Sequence, residues 1–182
     1  MRIKGEYLLR ILSPMELLLE KGSIYSGEQD TVTGPPFKMD MKIEFIDINQ
    51  LFMCGTFKIF NLTSYHDVIN TYFECEIVKD FDIKDEINHW STFSVYNEIK
   101  GDYDINRSNY LFMKIKELFL LPDPSIKSIP GASIDGYYYC FYSRKDDFFK
   151  GFYYYETMRN QPPQKILLSR THPFFSTKGE SA

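Results

Sequence analysis

Residues 110–121 read YLFMKIKELFLL, and period-two alternation divides them into two unequal faces. Lys114 and Lys116 fall on one face; Leu111, Met113, Ile115, Glu117, Phe119 and Leu121 fall on the other. A strand with one apolar face must bury that face, and here a carboxylate goes in with it. A charge facing a core is costly unless something pairs with it. Two readings of Glu117 are open: it is tied to an internal Arg, Lys or Tyr, or it waits for a cationic ligand.

The neighbouring segments repeat the pattern. Met39, Met41, Ile43 and Phe45 alternate with Lys38, Asp40, Lys42 and Glu44. After a turn near Asn49-Gln50, an inward row of Met53, Gly55, Phe57 and Ile59 follows, and residues 71–78 set Phe73, Cys75 and Ile77 against Tyr72, Glu74 and Glu76. Residues 79–86 read as a loop, after which Asn88 is placed to cap a helix carrying Trp90 and Phe93. Pro122 ends the Glu117 strand, and residues 136–142 and 151–155 form two more strands around a polar loop at 143–150. Near the start, Ser13-Pro14-Met15-Glu16 has the form of a helix N-terminus and Gly22 of its end, which predicts short helices near 14–21 and 88–98.

Many short antiparallel strands with one alternating face are best accommodated by closure, which removes exposed edges. The fold class expected is mainly β: a small closed antiparallel barrel of about eight strands, lipocalin- or calycin-like, with short helical insertions. Aromatic residues make up 17% of the chain, in keeping with strands. An acid near the end of an inward strand would sit at the mouth of such a barrel.

Composition removes several functions. With a net charge of −4 and no Lys/Arg cluster, the chain offers no obvious nucleic-acid surface. Leu8–Leu19 is leucine-rich, but Arg10, Pro14 and Glu16 interrupt it, so no membrane association is expected. Cys54, Cys75 and Cys140 are odd in number and lie among apolar neighbours, reading as reduced core thiols in an intracellular protein. His66, His89 and His172 sit in unrelated contexts, no metal-ligand spacing is present, and no cofactor is expected.

The runs YLFMKIKELFLLPD (110–123), GASIDGYYYCFY (131–142) and GFYYY (151–155) resemble the vacuolar-import-and-degradation family, substrate receptors of the glucose-induced-degradation (GID, or CTLH) E3 ubiquitin ligase. IYSG (24–27), CGTFKIFNLT (54–63), TYFECEIV (71–78) and HW (89–90) agree in order, so the likeness covers about residues 24–170. It implies a non-catalytic receptor whose barrel mouth binds the free N-terminus of a protein destined for degradation, proline preferred. By resemblance the acid receiving the terminal ammonium falls on Glu117 and its tyrosine partner on Tyr138. Gly131, Ser133 and Ile134 match the loop touching the ligand backbone; Ile59, Leu62 and Ile69 match the apolar wall; Tyr153 matches a second-hairpin aromatic. The implied partners are proteins or peptides with a free N-terminal Pro, an armadillo-type scaffold subunit and RING subunits, in the cytoplasm, with the nucleus left open as a second compartment.

The pattern departs from the family in places. After IYSG comes EQDTVTGPPFK, where a family glutamine has no clear counterpart and Thr33 or Gly34 lies nearest. The final hairpin carries Gln161-Pro162-Pro163-Gln164, and Gln164 is assigned the role of a second ligand-binding glutamine. The domain division expected is an N-terminal helical extension (1–23), the barrel (24–170) and a tail (171–182) whose Phe174 and Phe175 could anchor a scaffold.

From residues alone, two other classes stay open. A lipocalin-like barrel could use Glu117 to bind a small amine. A hydrolase would need a second inward carboxylate, and none is evident.

Overall fold

The computed structural model describes residues 18–158 and 160–171. Eight strands close into an antiparallel barrel: β1 (Ile24–Gln29), β2 (Phe37–Asp47), β3 (Phe52–Thr63), β4 (His66–Ile77), β5 (Tyr110–Leu121), β8 (Tyr137–Ser143), β9 (Phe148–Tyr154) and β10 (Gln164–Arg170). Between β5 and β8 a two-stranded hairpin, β6 (Ser128–Ile129) with β7 (Ala132–Ser133), stands apart from the barrel sheet. Around the barrel the order is β1-β10-β9-β8-β5-β4-β3-β2, with β1 paired to both β2 and β10, and the pairing of first strand with last closes the ring. Consecutive barrel strands are neighbours, so β1, β3, β5 and β9 all finish at one end.

The interior is built from the alternating rows: Met39, Met41 and Ile43 on β2, Met53 and Phe57 on β3, Phe73, Cys75 and Ile77 on β4, and Leu111, Met113 and Ile115 on β5. Glycine appears in these rows where a neighbour is large. A Cβ on Gly55 would come within 2.9 Å of the Phe73 ring and 2.0 Å of the Lys42 carbonyl oxygen.

β5 is buried on its outer side as well. Phe112, Tyr139 and Phe141 pack there against Val78, Trp90, Phe93 and Tyr96. Two short helices, Ile87–Trp90 and Ser94–Ile99, carry the last three or border them. Burying a large aromatic such as Trp90 contributes roughly 1.5–3 kcal/mol, which fastens this connection to the outer side of the wall that carries Glu117.

Three inward assignments from alternation are corrected, all for one physical reason. Register shifts between Ile43 and Phe45 on β2, so Phe45 turns out to solvent (45% exposed) and Ile46 packs inward instead. On β5 the register shifts after Glu117: Phe73 faces Glu117, but Tyr72 faces Phe119. The extra residue reverses the parity, so Leu120 is buried whereas Phe119 stacks outside on Tyr72, centroids 4.9 Å apart, and Leu121 is only half-buried. A β-bulge adds one residue to one strand, and simple alternation does not register it.

Other differences are local. The single helix expected near 88–98 is two, because the chain breaks at residues 91–93; Asn88 lies within the first and caps nothing. The first half of the helix expected near 14–21, residues 14–17, lies outside the described residues, and residues 18–21 are not helical. Phe148–Lys150 belong to β9 rather than to the preceding loop. Cys75 and Cys140 are buried, but Cys54 is half-exposed on the outer face rather than in the core. The expected N-terminal extension is outside the described residues up to residue 17, and the tail from residue 172 onward.

At the end away from the finishing termini of β1 and β5, Asp147 is the centre of a polar cluster. It accepts hydrogen bonds from the hydroxyls of Tyr25 (2.7 Å) and Tyr142 (2.6 Å) and pairs with Arg170. Arg170 also donates to the Ser23 hydroxyl (3.1 Å) and the Leu18 carbonyl (2.7 Å), and its guanidinium lies over the Tyr25 ring. Burial pushes Asp147 upward, but these donors together hold its carboxyl below the ordinary aspartate range.

Candidate functional site

A cavity of about 270 Å³ opens at the other end of the barrel, where β1, β3, β5 and β9 finish. Its polar centre is Glu117, only 4% exposed, set on β5 just before the bulge. The bulge brings Leu120 into the cavity wall opposite Thr71, and the Thr71 hydroxyl donates to Glu117 Oε2. None of the ion pairs among the described residues includes Glu117. Burial pushes its pKa above the ordinary glutamate value; Thr71, Tyr138 and Lys116 pull it back only in part. Of the partners the sequence left open, an internal Arg or Lys is absent among the described residues, whereas an internal tyrosine, Tyr138, lies within hydrogen-bonding reach of Glu117.

Lys116, next in the chain, points outward. Its ammonium donates to the carbonyls of Ile134 (2.7 Å) and Gly136 (3.0 Å) and lies over the Tyr137 ring. Those contacts tie the segment after β7 to the barrel and leave the lysine charge committed outside the cavity.

Aromatic rings form the cavity floor. Tyr138 sits between Phe57 and Tyr153, with centroid separations of 5.2 and 4.8 Å. The Tyr153 hydroxyl accepts from the Gly136 backbone N–H at 2.8 Å. Glycine is required at 136, since a Cβ there would stand 2.6 Å from the Tyr153 ring. Burial first, and the nearby Glu117 charge second, raise the Tyr138 pKa well above the usual phenol, so this hydroxyl keeps its proton.

The wall is aliphatic. Ile59 on β3 and Ile69 on β4 are register partners, and Leu62, Phe37, Val32 and Leu120 continue the surface. The lip is the β6–β7 hairpin, whose Gly131 adopts φ +85, a conformation natural to glycine, and whose Ser133 and Ile134 border the opening. Glu117, Tyr138, Ser133, Gly131, Ile134, Tyr153, Ile59, Leu62, Ile69 and Gln164 all line this one cavity. The structure thus brings these ten residues together.

It also adds residues that the sequence reading passed over. Thr33 and Gly34 do not border the cavity; from that loop Thr31 and Val32 do, and Gln29 reaches in from the end of β1. Gln29 and Gln164 are 4% and 8% exposed and bonded to each other, Nε2 of the first to Oε1 of the second at 2.8 Å. Tyr138 donates its hydroxyl to Gln29 Oε1 at 3.1 Å. The signals were there: Tyr25, Gly27 and Gln29 share one parity, and Thr71 begins the inward row of Phe73, Cys75 and Ile77.

Chemically the cavity offers a buried carboxyl group, a neutral tyrosine oxygen, backbone groups at the lip and a greasy wall. That set suits a compact cation with an apolar body. Among the described residues no group of three or more His, Cys, Asp or Glu is placed to hold a metal ion.

Residues 18–171 match the family model described as vacuolar import and degradation protein. The chain is 30% identical to the mouse glucose-induced degradation protein 4 homolog over 158 residues, spanning 77% of this chain and 72% of that protein. It is 25% identical to the GID complex substrate-recognition subunit 4 of Schizosaccharomyces pombe, over 85% of this chain and 91% of that protein. The Saccharomyces cerevisiae protein of the same name is 42% identical over 89 residues, 48% of this chain and 23% of its own length. A match running from before β1 to the end of β10 makes the chain a member of the vacuolar import and degradation protein family.

Proposed function

We propose that this chain is a substrate-recognition subunit of a GID/CTLH-type E3 ubiquitin ligase that binds N-terminal proline degrons and directs their bearers to ubiquitination and proteasomal degradation. The observation that carries the reading is Glu117: a buried carboxylate with no ion-pair partner among the described residues, at the centre of a largely apolar cavity. An N-terminal proline supplies a secondary ammonium and a compact apolar ring. A charge-assisted hydrogen bond from that ammonium contributes roughly 1.5–3 kcal/mol. An internal proline lacks the cation and would leave Glu117 desolvated and unpaired, so selectivity comes from charge as much as from shape.

Two relatives bear the printed name of GID complex substrate-recognition subunit, which supports a non-catalytic role. In this reading the chain works with an armadillo-type scaffold and RING subunits, and a pull-down from native cells read for both classes tests that association.

Calorimetric titration with a short peptide beginning Pro, with the same peptide N-acetylated, and with prolinamide tests the ligand. The free peptide should bind, the acetylated one should not, and prolinamide should bind more weakly because it lacks the backbone that reaches the lip. Equal affinity for free and acetylated peptide contradicts the reading. Equal affinity for peptide and prolinamide would instead mark a carrier of small amines.

A further inference from the structure

We propose that Gln29 is a positioning residue: it takes the proton of the Tyr138 hydroxyl and so presents Tyr138 to the ligand as a hydrogen-bond acceptor. The inference rests on the receptor reading above and adds a residue to it.

Tyr138 has one proton and two acceptor places within reach, Gln29 Oε1 at 3.1 Å and the Glu117 carboxylate. Given to Glu117, the proton would occupy the anion that the ligand's ammonium must meet. Given to Gln29, it leaves the tyrosine lone pairs facing the cavity beside a free carboxylate oxygen, since Thr71 already engages Oε2. A secondary ammonium has two N–H donors, and the pocket then offers one acceptor for each.

Gln29 is held for this task. Its Nε2 donates to Gln164 Oε1 at 2.8 Å, which turns its own oxygen toward Tyr138. Both glutamines are buried, so water does not replace either bond cheaply. The pairing also crosses the β1–β10 seam that closes the barrel, which links closure of the fold to the direction of one hydroxyl.

The test is a double-mutant cycle on affinity for a Pro-Ala-Ala-Ala peptide, using Q29M, Y138F and the double variant. Q29M should weaken binding by roughly 2- to 12-fold, the size of one net neutral hydrogen bond, when Tyr138 is present. In the Y138F background it should have no effect, because there is no hydroxyl left to aim. A merely structural Gln29 would lower the melting temperature in both backgrounds without this coupling. Should Q29M not fold, Q164M breaks the relay one link further on and should show the same dependence on Tyr138. Equal weakening in both backgrounds, or no weakening when Tyr138 is present, overturns the inference while leaving the receptor reading intact. A wild-type protein that binds no free Pro peptide overturns both.

Discussion

The two ends of the barrel each hold a carboxylate, and they are treated in opposite ways. Asp147 is met by two tyrosine hydroxyls and a guanidinium, and its pKa lies below the ordinary range. Glu117 is more deeply buried, receives a threonine hydroxyl, has no ion-pair partner among the described residues, and its pKa lies above it. One end is electrostatically paired within the molecule; the other has no cationic partner among the described residues, and in the proposed reading a ligand's ammonium supplies it. A charge that serves the fold is paired by the fold, whereas a charge that serves a ligand is left unpaired at a cost to stability.

The sharpest way to break this comparison is to remove each charge and read both affinity and stability. Glu117→Ala should cost roughly 2–5 kcal/mol of peptide binding, because the ligand's ammonium is desolvated without its counter-charge. The empty domain should melt no lower than wild type, and titration calorimetry with a parallel thermal melt reads both quantities. Arg170→Met should do the reverse. It should destabilise the fold by roughly 2–3 kcal/mol, less than for a fully buried pair because the two side chains are 24% and 19% exposed. That corresponds to a drop of roughly 5–10 °C in Tm, with peptide affinity in the folded protein unchanged.

Acidity separates the ends next. Asp147, with a depressed folded pKa, contributes stability above its unfolded value that is lost as pH falls through the folded one. Glu117, with a raised folded pKa, does the opposite: its contribution is present in acid and lost as pH rises past the ordinary glutamate value through the raised one. Peptide binding needs the anion, so affinity should begin to fall at a pH above the usual carboxylate range, by up to about tenfold per pH unit. Titrations between pH 4.5 and 8 check this, and Glu117→Gln should flatten the profile. The smallest effect on binding belongs to Tyr138→Phe, which removes one neutral hydrogen bond and should cost about 0.5–1.5 kcal/mol of affinity, with a lower Tm because buried Gln29 Oε1 loses its donor.

How much of this was legible in the sequence varied with the physics behind each element. Strands with one wet and one dry face announce themselves, so the rows ending in Ile59, Ile77 and Ile115 could be read directly. The oddity of Glu117 was equally plain, because a lone charge in an apolar row has no other explanation than a partner or a ligand. Alternation failed at Phe45, Phe119 and Leu121, where a bulge reverses the parity without a mark in the sequence. Tyr138, Ser133 and the isoleucine wall came from family resemblance, since a tyrosine in YYY or an inward isoleucine is indistinguishable from packing. Gln29 and Thr71 were missed because small and amide side chains on an inward row carry no hydropathy signal; only their pairing across distant strands gives them a role.

The most direct measurement of the central claim is the melting temperature of wild type and Glu117→Gln at neutral pH, each with and without a peptide bearing a free N-terminal Pro. If Glu117 is held unpaired for a ligand, Glu117→Gln melts at or above the empty wild type, and only the wild type gains stability from peptide. If Glu117→Gln melts lower and still gains as much from peptide as wild type does, Glu117 belongs to the fold and the account is wrong.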